Sequence, residues 1–568
     1  MIKLLIAVLG AVVAGNAAGE YSRAYLDANV HTALEAPTLP SPPFVAPEFS
    51  TQPALTFYVN PAVTCSDTPS GGSEALPYCT VTYAKGVANP GDTFLIAAGI
   101  YDEGAMTFSR NGTSVAPIAY RAVGDVAFGY HVVDEDFVAE PGLANVYSIA
   151  WSLAAPGQVS QLRFPGILVE DPNTVSFTME QAEGPMRLSP VTTDAALTAN
   201  EGTWRFTGGR LYVHAYGNRT PSTADTDFVV GIGGAVALTV TANWQVFEGF
   251  KILYTFNTGG SNNLYKNLKF QGQQFALTGS NNRGENVSVT HVIVRDQSNW
   301  TWHLSATGTA MTVTGSGHVL KGITLFKNWN STMSTDAAPG IVIDGFITRS
   351  APNHCGPGAL SQPGTVLRNF ISYNCQDHVW LSDTSGVVIE HATIPSGIGI
   401  EGFARPLGPI TIRNSIFSGS VWYIRGPDSY CTWEAGSLME NNVISTTATI
   451  ERCGPSPMQE VPILTYIDRC NSGFYPAGTC MTIRNNRFVD PSAWNTVVAQ
   501  SLITSFSDTW NATLVPNSPA IDLGIVSGTL TDINGVARGA NPDAGVYEGI
   551  GLPVRPRMRM RMRMRGVP

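Results

Sequence analysis

The chain has 568 residues, of which 43% are hydrophobic and only 13% charged, with 57 glycines and a formal net charge of −10. Few charges and many glycines suit strands joined by tight turns, and no long helical period follows the first residues. The acidic balance excludes an ordinary nucleic-acid binder, more firmly once the six arginines between Arg555 and Arg565 are set apart, because an acidic body repels polyanions.

Residues 1–19 carry one lysine, Lys3, then an apolar run from Leu4 to Ala14 and the small residues Ala17, Ala18 and Gly19. This is the layout of a secretory signal, and it is short for a membrane span. Residues 20–55 form a linker in which Pro37, Pro40, Pro42, Pro43 and Pro47 favour extended backbone. No second apolar run is long enough to cross a bilayer, so the expectation is a protein secreted or held at the extracellular surface, without stable membrane insertion. All eight cysteines follow the signal, an even number in a compartment where disulfides persist. Cys65 and Cys79 bracket a Gly/Ser loop and suit a local bridge. Cys355 and Cys375 lie one repeat apart, where stacked strands approach to about 4.8 Å, near the separation a disulfide wants. Cys431 with Cys453 and Cys470 with Cys480 complete the expected set; sequence leaves the connectivity open, and no CxxC spacing supports a metal instead.

Residues 56–133 read as the first strands of a repeat. From 134 to 230 the pattern lapses into segments that alternate like antiparallel hairpins, among them Trp204-Arg-Phe-Thr-Gly-Gly-Arg-Leu-Tyr-Val-His-Ala with Gly-Gly as the turn. This is expected to be a β insertion beside the early coils. Residues 231–490 then repeat one short pattern: Val246-Phe-Glu-Gly-Phe-Lys-Ile, Leu264-Tyr-Lys-Asn-Leu-Lys-Phe, Ile343-Asp-Gly-Phe-Ile-Thr, Leu367-Arg-Asn-Phe-Ile-Ser. Its marker position falls at Gly249, Asn267, His291, Gly322, Gly345, Asn369, His391, Asn414, Asn441 and Asn485, with several gaps of 22 to 24 residues. A fixed period of this length means stacked units that bury a core only together, and alternating apolar residues make each unit stranded. The expected fold is all-β: a right-handed parallel β-helix, a solenoid of about ten or more coils. The marker residues are read as a ladder of side-chain amides, with His291 and His391 standing in it, and Asp344, Arg368, Glu390 and Arg413 just before it as a solvated face. Residues 491–549 form a closing segment, and residues 550–568, alternating Arg and Met, an unstructured tail.

Phe57-Tyr-Val-Asn-Pro and Asn89-Pro-Gly-Asp-Thr-Phe-Leu-Ile-Ala-Ala-Gly-Ile-Tyr resemble the opening of secreted right-handed parallel β-helix repeat proteins of the pectate-lyase-like superfamily. Asn517-Ser-Pro-Ala-Ile-Asp-Leu-Gly, Asp532-Ile-Asn-Gly-Val-Ala-Arg and Pro542-Asp-Ala-Gly-Val-Tyr-Glu resemble their closing segment. The resemblance spans about residues 56–549 and implies the fold; it says little of chemistry, because one fold hosts many functions.

A second strand follows each marker strand. Aligning its apolar centres on Leu277, Leu304, Met333, Leu360, Leu381, Ile400 and Ile424 gives two outward columns. One runs through Ala276, His303, Thr332, Ala359, Trp380, Gly399 and Tyr423, and the other through Thr278, Ser305, Ser334, Ser361, Ser382, Glu401 and Arg425. Small polar positions give way to His303, Trp380, Glu401, Tyr423 and Arg425, with Asp336, His354, Asp377, His378, Asp383 and Arg405 at nearby turns. A flat polar face with a few aromatics suits sugar rings. Two carboxyls about 5–5.5 Å apart serve a retaining glycosidase and about 6.5–9.5 Å an inverting one. Glu401 with Asp383, or Asp383 with Asp336, are the candidate pairs, with His303 a further catalytic candidate. Trp380, Tyr423, Arg425, Arg405, His354, Asp377 and His378 are the substrate-binding candidates. A lyase would use His303, His354 or Tyr423 as base and Arg405 or Arg425 to neutralise a uronic carboxylate, with calcium as its cation; otherwise no cofactor is required. The expected partner is a polysaccharide or glycoconjugate. Hydrolase is preferred to lyase, and the rival class is a non-catalytic glycan-binding adhesin or surface fibre protein.

Overall fold

The computed structural model describes the chain between residues 55 and 545 apart from internal stretches, the longest being 426–435 and 494–513; residues 1–54 and 546–568 lie outside it. Nearly every described element is a strand, and the helices among the described residues are short: Val81–Val87, Asp194–Ala199 and Ile463–Asn471. None is long and apolar enough to cross a membrane.

The strands wind as a parallel β-helix. Thr56–Val59 pairs in parallel with Thr93–Tyr101, which pairs with Ile118–Phe128, which pairs with Gln245–Ile252. From there each coil lies on the next, Leu320 on Ile343, Ile343 on Leu367, Leu367 on Ile389 and Ile389 on Ile412. Along this one inward column the residue class changes. Phe94, Tyr120, Phe247 and Tyr265 stack ring on ring at 5.3, 5.3 and 5.8 Å. From Leu320 to Ile412 the coils fill the same place with Leu or Ile, all fully buried. A solenoid buries its core between neighbouring repeats, so its ends need covers. At the N-terminal end the helix Val81–Val87 packs Val81 and Ala84 into the cluster with Val59, Tyr78 and Phe94. Thr80 caps it by accepting from the Tyr83 amide, and the Glu103 carboxylate accepts the Val81 and Thr82 amides at 2.7 and 2.6 Å.

The marker position has a conformational cause. Asn267, Asn369, His391, Asn414, Asn441 and Asn485 all have φ between 51° and 55°, and Gly249, Gly322 and Gly345 are also left-handed. A left-handed bend turns the chain from one arm of the coil to the next, and only Gly, Asn and a few polar residues adopt it cheaply. One marker is corrected. In the coil after Asn267 the bend is at Asn286 (φ 57°), not His291, and Asn286 Nδ2 donates to Asn267 Oδ1 at 3.1 Å. His291 lies outside the described residues. A second, fully buried ladder runs through Asn263, Asn282 and His318: the Gln245 amide donates to Asn263 Oδ1, the Asn263 amide to Asn282 Oδ1, and the Asn282 amide to His318 Nδ1. Burial holds His318 below the ordinary imidazole range, so it stands neutral and accepts.

The sheet register jumps from Ile118–Phe128 directly to Gln245–Ile252, and the chain between builds mainly antiparallel sheets before Leu238–Val240 rejoins the coils in parallel. Thr203–Thr207 and Arg210–His214 form a hairpin turning at Gly208 and Gly209, both left-handed, as two-residue turns of this type require. Trp151, Leu188, Trp204, Leu211, Val213 and Phe228 form a core separate from that of the coils.

The bridge Cys65–Cys79 is formed with Cα atoms 5.1 Å apart, and Cys470–Cys480 with 6.0 Å. Cys355 and Cys431, and so the other two expected pairs, lie outside the described residues.

Past the last coil the chain returns along the marker bends. Asn414 Nδ2 donates to the Ile525 carbonyl and its Oδ1 accepts the Ile525 amide, at 2.9 and 3.0 Å. Arg538 Nη2 donates to Asn369 Oδ1 at 2.9 Å, and Asn369 Nδ2 to the Thr531 carbonyl at 3.1 Å. Beside these bonds Leu514, Ala520 and Ala544 bury Ile416 and Val443 of the coils.

Candidate functional site

Just before the marker bend, one outward column carries a charge in each coil from the strand Ile118–Phe128 onward. In register order it reads Arg121, Glu248, Lys266, Glu285, Lys321, Asp344, Arg368, Glu390, Arg413, Glu440, Arg484, each sign followed by its opposite. Glu248 reaches Arg121 at 3.5 Å and Lys266 at 3.4 Å, Asp344 meets Arg368 at 3.1 Å, and Glu440 meets Arg484 at 2.8 Å. The expected solvated face is corrected here. Glu390 is only 2% exposed and Arg413 8%, and Glu390 Oε2 accepts from Arg413 Nε and Nη2 at 2.9 and 2.8 Å. Desolvating a carboxylate is costly unless opposite charges and hydrogen bonds replace the water, which a column of alternating sign does from both sides. This face is a structural spine. His391, next to Glu390, is fully buried, accepts from Asn414 Nδ2 at 3.2 Å, and is held well below the ordinary imidazole range by burial and then by the Arg538 charge. It belongs to the marker ladder, as expected.

The lateral strands hold the catalytic candidates, and their register differs from the sequence alignment. Met106–Phe108, Leu238–Val240, Phe256–Thr258, Phe275–Leu277, Met311–Val313, Met333–Ser334 and Pro357–Gly358 pair in parallel. Between the inward residues the middle column runs Thr107, Thr239, Asn257, Ala276, Thr312, Ser334 and Gly358, small throughout. His303 is absent from it. Trp302–Leu304 instead pairs antiparallel with Ile293–Arg295, which joins the insertion through Ile293 and Met186. The segment Trp302-His303-Leu304 mimics the alternation of a coil strand, and alternation does not distinguish a hairpin arm from a coil. His303 is therefore not in one column with Trp380 and Tyr423.

Three parallel strands continue this side: Trp380–Ser382, Ile400–Phe403 and Trp422–Arg425. Trp380, Glu401 and Tyr423 are register partners, and so are Ser382, Phe403 and Arg425; Leu381, Gly402 and Ile424 stand between. The expected alignment put Ile400 level with Leu381, two positions too early for this strand. Gly402 holds that place because a glycine carries no apolar signal to align on. The shift moves Glu401 from the Ser382–Arg425 column into the Trp380–Tyr423 column. With about 4.8 Å per strand, a carboxylate position lies one step from an aromatic on either side. One strand earlier, His354 and Asp377 are register partners after a bulge near Ala351, three residues ahead of Trp380. Strand positions thus bring together Trp380, Glu401, Tyr423 and Arg425, with His354 and Asp377 at the approach. Asp336, His378, Asp383 and Arg405 lie outside the described residues. Among the described residues no group of three or more His, Cys, Asp or Glu is placed to hold a metal.

No family model matches the chain, and no curated protein matches it. Among solved structures it is similar to XylC in complex with xylose, at 11% identity and a TM-score of 0.48 over 87% of this chain and 98% of that one. It is also similar to a glycoside hydrolase, at 10% identity and 0.42 over 77% and 97%, and to pectate lyase Pel9A, at 14% identity and 0.38 over 87% and 96%. These solved neighbours are carbohydrate-active proteins, and the chain's own strand register shows the winding it has in common with parallel β-helix proteins.

Proposed function

We propose that this chain is an exported glycan-active protein whose three lateral strands bind a polysaccharide, and that Glu401 takes part in cleaving it by hydrolysis. One observation carries the reading: the register sets Glu401 between Trp380 and Tyr423 on consecutive strands, beside a row of Ser382, Phe403 and Arg425. Sugar rings offer apolar faces to aromatics and hydroxyls to polar groups, and two aromatics two strands apart span about 9.6 Å, roughly the reach of two sugar units. A glycosidase needs a second carboxyl across the bond, for which Asp383 and Asp336 are the candidates. In a lyase, Tyr423 or His354 is the base and Arg425 or Arg405 the neutraliser, with calcium assisting.

A second reading, glycan binding without cleavage, is favoured by one detail. Among the described residues of the three strands Glu401 is the single carboxylate, whereas a glycosidase needs a pair. A panel of neutral and uronic polysaccharides separates the readings. Hydrolysis releases reducing ends without unsaturated-uronide absorbance, a lyase produces that absorbance, and a binding protein retards the glycan and forms neither product. Glu401→Gln is expected to abolish product while keeping retardation; unchanged turnover in that variant removes the site assignment.

A further inference from the structure

We propose that the closing stretch, in its described residues between Ser518 and Gly545, is a clasp that acid opens, with protonation of His391 as the trigger. This does not rest on the glycan reading, since the clasp lies on the marker bends and not on the lateral strands.

The clasp holds two marker residues that flank His391 in the ladder. Arg538 and the Thr531 carbonyl bind Asn369 of the preceding coil, while Ile525 binds Asn414 of the following coil through both its amide and its carbonyl. The Gly545 amide donates to the Asn414 carbonyl at 2.7 Å, and a Cβ at Gly545 would stand 2.7 Å from Ile416 Cδ1, so the fit is close. His391 is fully buried in the middle.

The side chain of Asn414 couples the imidazole to the clasp. Its Nδ2 donates at once to His391 Nε2 and to the Ile525 carbonyl, and its Oδ1 accepts the Ile525 amide. That pattern needs an unprotonated Nε2. An imidazolium would set an N–H against the Asn414 NH2, and turning the amide to offer Oδ1 to the ring would remove both bonds to Ile525. The charges around the ring act in the same direction. Arg538 on the clasp and Arg413 on the next strand both disfavour a further positive charge. Of the anions nearby, Glu390 on the same strand is bound to Arg413, Asp344 two strands earlier to Arg368, and Asp532 on the clasp accepts the Val536 amide. Asp543, also on the clasp, is itself buried.

The sign follows from where the proton binds. In the closed clasp the ring is held below its ordinary value, first by burial and then by Arg538. In the opened form it regains an ordinary value of about 6.5. The open form therefore binds more protons, and the ratio of open to closed rises as pH falls below about 6.5, by up to about tenfold per pH unit. The rise stops only where the closed form takes up its own proton. Opening uncovers Ile416, Val443 and the bends at Asn369 and Asn414.

Hydrogen exchange on the full chain, followed in peptides covering Ile525 and Gly545 between pH 7.5 and 4.5 and corrected for intrinsic rates, tests this. Protection of these peptides is expected to fall about tenfold per unit below pH 6.5 while peptides from the early coils stay protected. His391→Asn, which places the ladder's commonest residue at a φ of 54°, is expected to flatten that dependence. Equal protection at both ends of the range overturns the proposal. So does an unchanged pH dependence in His391→Asn, which would assign the trigger to Asp532 or Asp543. Should that variant not fold, an NMR titration of the His391 ring in the parent decides: opening and ring protonation sharing one midpoint supports the clasp, and separate midpoints overturn it.

Discussion

Two faces of the same coils are built on opposite rules. On the marker face each coil repeats the class of its neighbour: an inward apolar residue, a charge of alternating sign, then a left-handed bend. On the lateral face the residues are small from Thr107 to Gly358 and then change abruptly to Trp380, Glu401 and Tyr423. Periodic positions hold a solenoid together, because each interaction serves the two neighbouring coils. Where a face abandons its period for large functional groups, stacking does not require those groups, and they are the groups on which the proposed glycan site rests.

The comparison is broken most directly at Glu401. If the lateral face carries chemistry, Glu401→Gln lowers turnover on a cleaved glycan by about 10²- to 10⁴-fold with an unchanged melting temperature. A loss of stability instead would make Glu401 another structural position. The reverse holds on the marker face, where Glu390→Gln is expected to cost about 3–5 kcal/mol in denaturant unfolding, because it leaves the buried Arg413 charge without its partner. The ladder has a sharper test. An isolated ion pair is restored by exchanging its charges, but Glu390→Arg combined with Arg413→Glu sets like charges beside Arg368 and Glu440. The double variant is therefore expected to remain well below the parent, and full recovery would show that only the pair matters. Gly545→Ala, at φ 98° and against Ile416 and Thr393, should cost about 1–3 kcal/mol and loosen the clasp first, as limited proteolysis would report. The smallest effect is on binding: Trp380→Ala should weaken glycan retardation by about 0.5–1.5 kcal/mol and leave unfolding unchanged.

The winding, the marker period and the Gly-Gly hairpin were legible in the text because each rests on local physics: alternation, left-handed bends, turn chemistry. Gly249, Asn267, Asn369, His391 and Asn414 announce the coil since few residues tolerate their backbone angles. His291 and His303 misled for the same reason in reverse. Their segments copy the local pattern of a coil strand, yet Asn286 makes the bend and Met311–Val313 makes the lateral strand, while the intervening chain leaves to join the insertion. Length between repeats is set by such excursions, and nothing local records where a chain departs and returns.

What the residues determine alone is therefore the repeat, its apolar interior and the residue types at its bends. The tertiary structure decided the register, and the register decided the rest. A shift of two positions placed Glu401 with Trp380 and Tyr423 instead of Arg425, and the pairing of the other sheet lined up eleven charges scattered from Arg121 to Arg484 into one alternating column. It also laid Ile525, Arg538 and Gly545 against bends more than a hundred residues earlier. Hydrogen bonding between coils selects which residues meet, and that choice is a property of the whole stack, settled by the summed fit of many strands and not by any one segment.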